Sequence, residues 1–455
     1  MTEVTLVIAS ALMTQTRSPQ EIIDLFKTKT VDADWSFREA TPSDTGKWTH
    51  DYHRYPAKFI PQLVERLFDE YLPTRDAHVN PQRQLTALKT LGVNDPFMGC
   101  GTTIVSAISR GFIASGTDVN RIAFLITKVK ATPIQPEYLA KKISAFLSAL
   151  SQDIEPLIPQ NHIERIKYWF SDEIANDLGR ILRAINEEEE EIVRDFFLVA
   201  FSHILKTCSV WLQTSTKPTR DPSKQPAKPF DALRRHLRKM QRGNEAFYNI
   251  VPPKTREHLG EYLQIKIGDA RKQAAPDASV ELIVSSSPYV TSYEYADLHQ
   301  LSTIWLDFTD DLSEYRKAFI GTSYKSSDAR KPRSQIARDI VEKMSQASAK
   351  MAREVETYFV DMESVFDESF RILKPGGRCC YVIGNTQLKG VDILNAEAFA
   401  DSLQHSGFAL DRIIKREIPS KILPQKRDKK TGRFASNQDA DAEAYPIEYI
   451  VIGRK

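Results

Sequence analysis

The stretch Asp95-Pro96-Phe97-Met98-Gly99-Cys100-Gly101-Thr102-Thr103 constrains this chain more than any other. It follows the apolar-leaning run 85–94 and precedes Ile104-Val105-Ser106-Ala107-Ile108-Ser109, which reads as a helix. A strand entering an acidic, glycine-broken turn and then a helix is how a doubly wound α/β sheet holds an adenosine-type cofactor. Glycines at 99 and 101 let backbone approach a ligand with no Cβ in the way, and the helix start offers unpaired N–H groups. Asp95 discriminates between ligands. Beside a phosphate-binding turn it would put two anions in one small space. A donor ending in a sulfonium and an ammonium would gain from the same carboxylate. That points away from NAD and ATP and toward S-adenosyl-L-methionine.

The next segment agrees. Residues 111–117 read as a second strand that closes with Asp118-Val119-Asn120. An acid at the tip of the second strand is where such folds grip a ribose diol. One Gly-x-Gly turn could equally be an ordinary loop. Asp95 and Asp118 together select the cofactor reading.

At 455 residues the chain has room for two to three domains and a large core, and its 41% hydrophobic and 27% charged residues place it among globular proteins rather than disordered ones. No apolar run reaches membrane-spanning length, and the segment 1–12 lacks a basic leader, so a cytoplasmic protein with no membrane partner is expected. Cys100, Cys208, Cys379 and Cys380 lack metal-ligand spacing, so four reduced thiols and no metal are expected; adjacent Cys379 and Cys380 on a strand would face opposite ways.

Net charge is only +2, but it is unevenly spread. Lys217, Arg220, Lys224, Lys228, Arg234, Arg235, Arg238, Lys239 and Arg242 face only Asp221 and Asp231 across 217–242. Lys421, Lys426, Arg427, Lys429, Lys430 and Arg433 form a second basic cluster with Asp428. Each is either a solvated surface or a polyanion-binding face.

Periodicity then divides the chain. Residues 1–48 form an N-terminal arm, and 49–133 with 259–455 form the cofactor-binding domain. Residues 134–258 are a mostly helical insertion with apolar residues at helical spacing over 136–150, 172–183 and 192–205, a proline-rich loop at 215–226 and a basic helix around 231–242. A second helical insertion spans about 307–368. Strands are expected at 262–267, 280–284, 377–383 and 447–452.

Val284 leads into Ser285-Ser286-Ser287-Pro288-Tyr289-Val290. An exocyclic amine conjugated into a base is a poor nucleophile. A Ser286 hydroxyl and a rigid Ser287 carbonyl can accept its hydrogens and draw it toward tetrahedral geometry. Pro288 fixes the turn and Tyr289 can stack on the base. Tyr293 and Tyr295 either line the same pocket or pack in the core; His299 reads as structural rather than catalytic.

With these residues in place, the chain resembles the amino-type DNA methyltransferases, most of all the N4-cytosine enzymes of restriction–modification systems. The likeness implies an α/β fold with a Rossmann-like doubly wound mixed sheet of the class I S-adenosylmethionine methyltransferase type, carrying helical insertions. Tyr55-Pro56-Ala57-Lys58-Phe59 resembles the motif that closes over the methionine end of the cofactor. The segment with Asp95, Pro96, Phe97, Gly99, Gly101, Thr102 and Thr103 is similar to the family's cofactor loop, and Asp118 with Asn120 to its ribose site. Asp269 and Ala270 resemble the motif that meets the adenine, Ser286 to Tyr289 the catalytic tetrad, and residues 373–377 the turn before the sixth motif. The tetrad departs at Ser287, where the family usually carries proline, and the long insertion at 134–258 is unusual.

The resemblance implies transfer of a methyl group to the N4 of a cytosine flipped out of double-stranded DNA. It also implies a paired restriction endonuclease, a monomer or homodimer, and a place in the prokaryotic cytoplasm at the nucleoid. Alternatives are an N6-adenine enzyme, a tRNA guanosine-N2 type enzyme and a catalytically silent DNA-binding relative. Phosphate and groove contacts are expected from Lys217, Arg220, Lys224, Lys228, Arg234, Arg235 and Arg238, then from Lys426, Arg427, Lys429 and Lys430.

Overall fold

The computed structural model describes residues 16–55, 58–73, 91–150, 154–215, 217–290, 295–309, 311–322, 330–418, 426–427, 442–443 and 447–455. Ala57, Tyr293, Lys429, Lys430, most of the run 85–94, and the side chains of Tyr295, Lys426 and Arg427 lie outside the described residues.

Seven strands build the scaffold: β1 (Gly92–Asp95), β2 (Ile113–Asp118), β3 (Leu263–Ile267), β4 (Val280–Ser286), β5 (Leu373–Ile383), β6 (Ala409–Glu417) and β7 (Ile447–Arg454). They lie side by side in the order β3-β2-β1-β4-β5-β7-β6. All neighbours pair in parallel except β7, which runs antiparallel to both β5 and β6. This is the expected Rossmann-like mixed sheet of the class I methyltransferases. Parallel strands covered on both faces read as apolar runs rather than alternations, and β1 is buried at all four positions. The edge strand β3 has no buried position, unlike the other parallel strands.

Helices cover both faces. On one side Leu282, Val284, Cys380 and Val382 pack with α2 (Pro61–Tyr71) and α3 (Thr102–Ser109). On the other, Ile283, Cys379 and Tyr381 pack with α11 (Gln335–Ala347), α12 (Ala349–Ile372) and α13 (Asn395–His405). Cys379 and Cys380 thus face opposite ways, and all four cysteines are free and buried. The N-terminal segment contributes α1 (Pro19–Thr28), which docks on α13.

The insertion has its own core. The helices α5 (Pro136–Ala149), α6 (Asp172–Asn186), α7 (Glu191–Cys208) and α8 (Pro229–Ile250) bury Phe196, Phe197, Phe201 and Leu237 together with Ile122 and Ile126 of α4 (Arg121–Ala131) and Trp305 of α9 (Gln300–Trp305). Helix α10 (Leu312–Lys317) opens the second insertion. No described helix is long and apolar enough to cross a membrane. Among the described residues no group of His, Cys, Asp or Glu could hold a metal ion.

The chain goes from β1 outward through β2 and β3, then returns past β1 to β4 and β5. Connections therefore diverge between β1 and β4, opening a crevice at their carboxyl ends. Asp95 ends β1 and Ser286 ends β4.

Candidate active site

The turn after β1 is held from three sides. Asp95 is almost wholly buried, and its Oδ1 accepts from the Ser285 hydroxyl at 2.7 Å and the Phe97 amide at 3.1 Å. Asp118, at the tip of β2, accepts from the Gly99 amide at 2.9 Å and the Asn120 amide at 2.8 Å. From behind, α4 grips the turn carbonyls: the Thr127 hydroxyl donates to Gly99 at 2.9 Å and the Lys130 ammonium to Cys100 at 2.6 Å. Gly99 and Gly101 both take positive φ, +47° and +77°. A Cβ on Gly101 would lie 2.7 Å from the Thr127 methyl. Gly101→Ala should therefore cost about 1–3 kcal/mol through backbone strain and overpacking, and weaken ligand uptake by loosening the turn. Thermal melting and calorimetric titration check both, and a variant with wild-type melting would contradict it.

Burial perturbs the charged groups here. Asp95 is pushed up to about 7, mainly by desolvation against the hydrogen bonds it accepts, with the Asp118 charge adding to the rise. Asp118 is pushed up to about 6 by desolvation. Lys130, fully buried, is brought down to about 8 by the same cause. Among the described residues neither acid makes an ion pair, so two desolvated carboxylates converge on the crevice without a paired cation. Such a pair suits a ligand that carries positive charge and hydroxyl donors.

The crevice is a single cavity partly open to solvent. Tyr55, Lys58 and Phe59 form one wall, and Asp95, Pro96, Phe97, Gly99 and Thr102 form the floor with Asp118. Asp269 and Ala270 close the β3 end, while Ser286 and Pro288 stand at the β4 end. Thirteen residues expected from widely separated segments thus share one cavity.

Other expected site residues are elsewhere. Thr103 does not line the cavity; its hydroxyl donates to the Val284 carbonyl at 3.0 Å and ties α3 to β4. Gly101 is spent on the turn itself. Asn120 caps α4 by accepting from the Ile122 amide at 3.1 Å, and also accepts from the Tyr315 hydroxyl at 2.9 Å. Ser287 is buried, with its amide donating to Val382 at 3.1 Å and its hydroxyl without a partner. Tyr289 lies outside the cavity wall and packs against Gly384, where a Cβ would come within 3.3 Å of the ring. Asp269 is clasped by Arg271, which also bonds Asp361 at 2.6 Å.

Of the basic residues, Lys217, Arg220, Lys228, Arg234, Arg235 and Arg238 are exposed. Arg234, Arg238 and Arg242 follow one another at helical spacing along the outer face of α8, opposite buried Leu233, Leu237 and Met240. Arg220 lies 5.1 Å above the Tyr168 ring. Lys224 is instead turned inward, donating to the carbonyls of Lys206 at 2.8 Å and Trp211 at 2.7 Å. It leaves the exposed face for that reason.

No family model matches the chain. It is 26% identical over 426 residues to the type II methyltransferase M.MvaI of Kocuria varians, covering 84% of this chain and 87% of that one. It is 20% identical over 419 residues to the type II methyltransferase M.BsoBI of Geobacillus stearothermophilus, covering 77% and 78%. Over most of its length the chain is thus similar to type II DNA methyltransferases. A SAM-dependent methyltransferase from Methanosarcina mazei is 10% identical, with a TM-score of 0.27 over 83% of this chain and 98% of the other. Strand order, rather than overall superposition, identifies the fold.

Several residues of the site have no local signature. Ser285 fixes the Asp95 carboxylate, Thr127 and Lys130 brace the glycine turn, and Ala318, Phe319 and Ile320 of the second insertion wall the cavity. Only Ser285 stood beside a motif. The others come from helix faces whose partners are set by tertiary packing.

Proposed function

We propose that this methyltransferase transfers the methyl group of S-adenosyl-L-methionine to the exocyclic N4 of a cytosine flipped out of double-stranded DNA. The observation that carries the reading is one cavity shared by the two unpaired acids, Asp95 and Asp118, and by Ser286 of the tetrad. The relatives named above are type II methyltransferases, which supports duplex DNA as substrate and pairing with a restriction endonuclease.

The residues present fit the cofactor. Asp95 and Asp118 lack cations of their own, and Tyr55, Phe59 and Phe97 offer ring faces and edges to an adenosyl group. When bound, the cofactor supplies an electrophilic methyl group. The chain supplies the rest. Asp118 is aligned by two backbone amides to receive hydroxyl donors, and Asp95 is held by Ser285 to face positive charge. The Ser286 hydroxyl, at the cavity wall, accepts hydrogen from the target amine in this reading and concentrates its lone pair. Ser287 is held by β5 through its amide, which fixes the peptide next to Ser286. An uncharged acceptor leading the tetrad favours cytosine N4 over adenine N6.

Incubation of unmethylated plasmid with isotopically labelled cofactor, followed by nucleoside mass spectrometry, tests this reading. Label should appear in N4-methylcytosine. Label in N6-methyladenine would overturn the base assignment, and its absence from DNA would overturn the activity.

A further inference from the structure

A cationic cluster stands beside the cavity, and two of its members, Arg54 and Lys206, lie outside the two basic segments singled out by composition. Arg54 is exposed and immediately precedes Tyr55, whose ring lines the cavity and lies 4.8 Å from the His299 ring. Its backbone is pinned in an unusual way. His53 Nδ1 bonds the Arg54 carbonyl at 2.8 Å, while Nε2 bonds the Ser202 hydroxyl at 2.9 Å. A carbonyl can only accept, so Nδ1 carries the ring proton and Nε2 accepts from Ser202. Burial pushes His53 down to about 3, which keeps this single-proton arrangement at neutral pH. Ser202 is further bonded to Ser302 of α9 at 2.7 Å.

Ser202 and Lys206 are one turn apart on α7, so the bond that registers Arg54 also sets it beside Lys206. The Lys206 ammonium donates to the carbonyls of Ser215 at 2.8 Å and Gln213 at 3.2 Å. Lys224 approaches the same loop through the Lys206 and Trp211 carbonyls. Among the described residues no carboxylate pairs with Arg54, Lys206 or Lys224. Asp221 attracts Lys224 without forming an ion pair and is bonded by Ser223, and Asp51 is engaged by Lys239. Burial, then the Arg54 and Lys224 charges, lowers the Lys206 ammonium to about 8. Three cations held together by neutral dipoles are under mutual repulsion that an anion would relieve.

We propose that Arg54, backed by the Lys206 and Lys224 charges, is the seat for a backbone phosphate of the DNA strand carrying the target base. The assignment rests on the function proposed above. A nucleotide drawn into the cavity past Tyr55 leaves its sugar–phosphate at the rim, where the Arg54 guanidinium offers a planar fork to phosphate oxygens. Beyond it the exposed row Arg235, Arg234, Arg238 and Arg242 of α8 continues the positive surface along the duplex.

The test compares wild type, Arg54→Gln and Arg54→Lys in methyl transfer to unmethylated plasmid over a range of salt concentrations. Arg54 is exposed and its fixed contact is its backbone carbonyl, which accepts from His53 and is kept in both variants, so melting temperature and cofactor affinity should match wild type. Arg54→Gln should lower kcat/KM for plasmid about tenfold through KM, and make the slope of log kcat/KM against log salt shallower by about one. Arg54→Lys should recover the slope and part of the rate. An unchanged KM and slope in Arg54→Gln would overturn the phosphate seat while leaving the methyltransferase reading intact. Absence of wild-type transfer would overturn both. Transfer to RNA in place of plasmid, with the same loss in Arg54→Gln, would overturn the assignment to DNA.

Discussion

Replacing Asp95 with Asn is expected to abolish uptake of S-adenosylmethionine and, at the same time, to raise the melting temperature of the free protein. The carboxylate is pushed from an ordinary 3.8 to about 7 by burial. Between those values the folded chain holds a proton that the unfolded chain has released. Stability of the free protein therefore falls as pH rises from about 4 to about 7, by up to about 4 kcal/mol at pH 8. Asn keeps an oxygen for the Ser285 hydroxyl and the Phe97 amide, the two groups that Oδ1 serves, but never ionises.

The variant should thus melt several degrees higher at pH 8, with no gain below pH 4. Its cofactor affinity should drop by about 100-fold or more, because the ligand's positive charge loses its desolvated partner. In the wild type, affinity should fall as pH drops through 7 and then 6, where first Asp95 and then Asp118 take up protons. The fall should approach tenfold per pH unit for each group. In Asp95→Asn the first of these dependences should vanish. Calorimetric titration from pH 5 to 9, with scanning calorimetry of the free proteins, reads all of it. Wild-type affinity in the variant would remove Asp95 from the cofactor site.

Ser286→Ala separates binding from chemistry. Ser286 ends β4 at the cavity wall, one residue after the serine that holds Asp95. Losing its hydroxyl removes an acceptor that matters only as the target amine gains positive charge, so methyl transfer should fall by about 10²–10³-fold. Cofactor affinity should stay within about twofold, and kcat should carry the loss rather than KM. Ser285→Ala should behave in the opposite way, weakening cofactor uptake through Asp95. Rapid single-turnover transfer by Ser286→Ala would deny its hydroxyl a part in the reaction.

What could be read before the structure was local. The acids at 95 and 118, the glycines between them and the serine at 286 sit at strand ends, where turn chemistry marks them. Parallel strands with apolar runs announced themselves in the same way. The bounds of β1 were less legible: among the described residues of the run 85–95, Gly92–Asp95 is strand. Strand β6 went unread: Asp411, Arg412, Lys415 and Arg416 break its apolar pattern, yet Ile413 and Ile414 pack on opposite faces of the sheet. Helix α1 could have been found, since Ser18 and Glu21 form a capping box ahead of Pro19.

A short motif does not say what its aromatic packs on, and the Tyr289 ring lies against Gly384, just past β5. Thr127 and Lys130 were invisible for a different reason. Both lie on a helix with ordinary amphipathic spacing, and only the packing of α4 against the turn gives them carbonyls to hold.

The most direct measurement is an equilibrium titration of the free protein at pH 8 with S-adenosylmethionine, run beside NAD under identical conditions. One equivalent of S-adenosylmethionine should bind and NAD should not, because two buried acids with no cation of their own face the ligand. Saturable binding of NAD, or no uptake of the sulfonium cofactor, would contradict the account at its root.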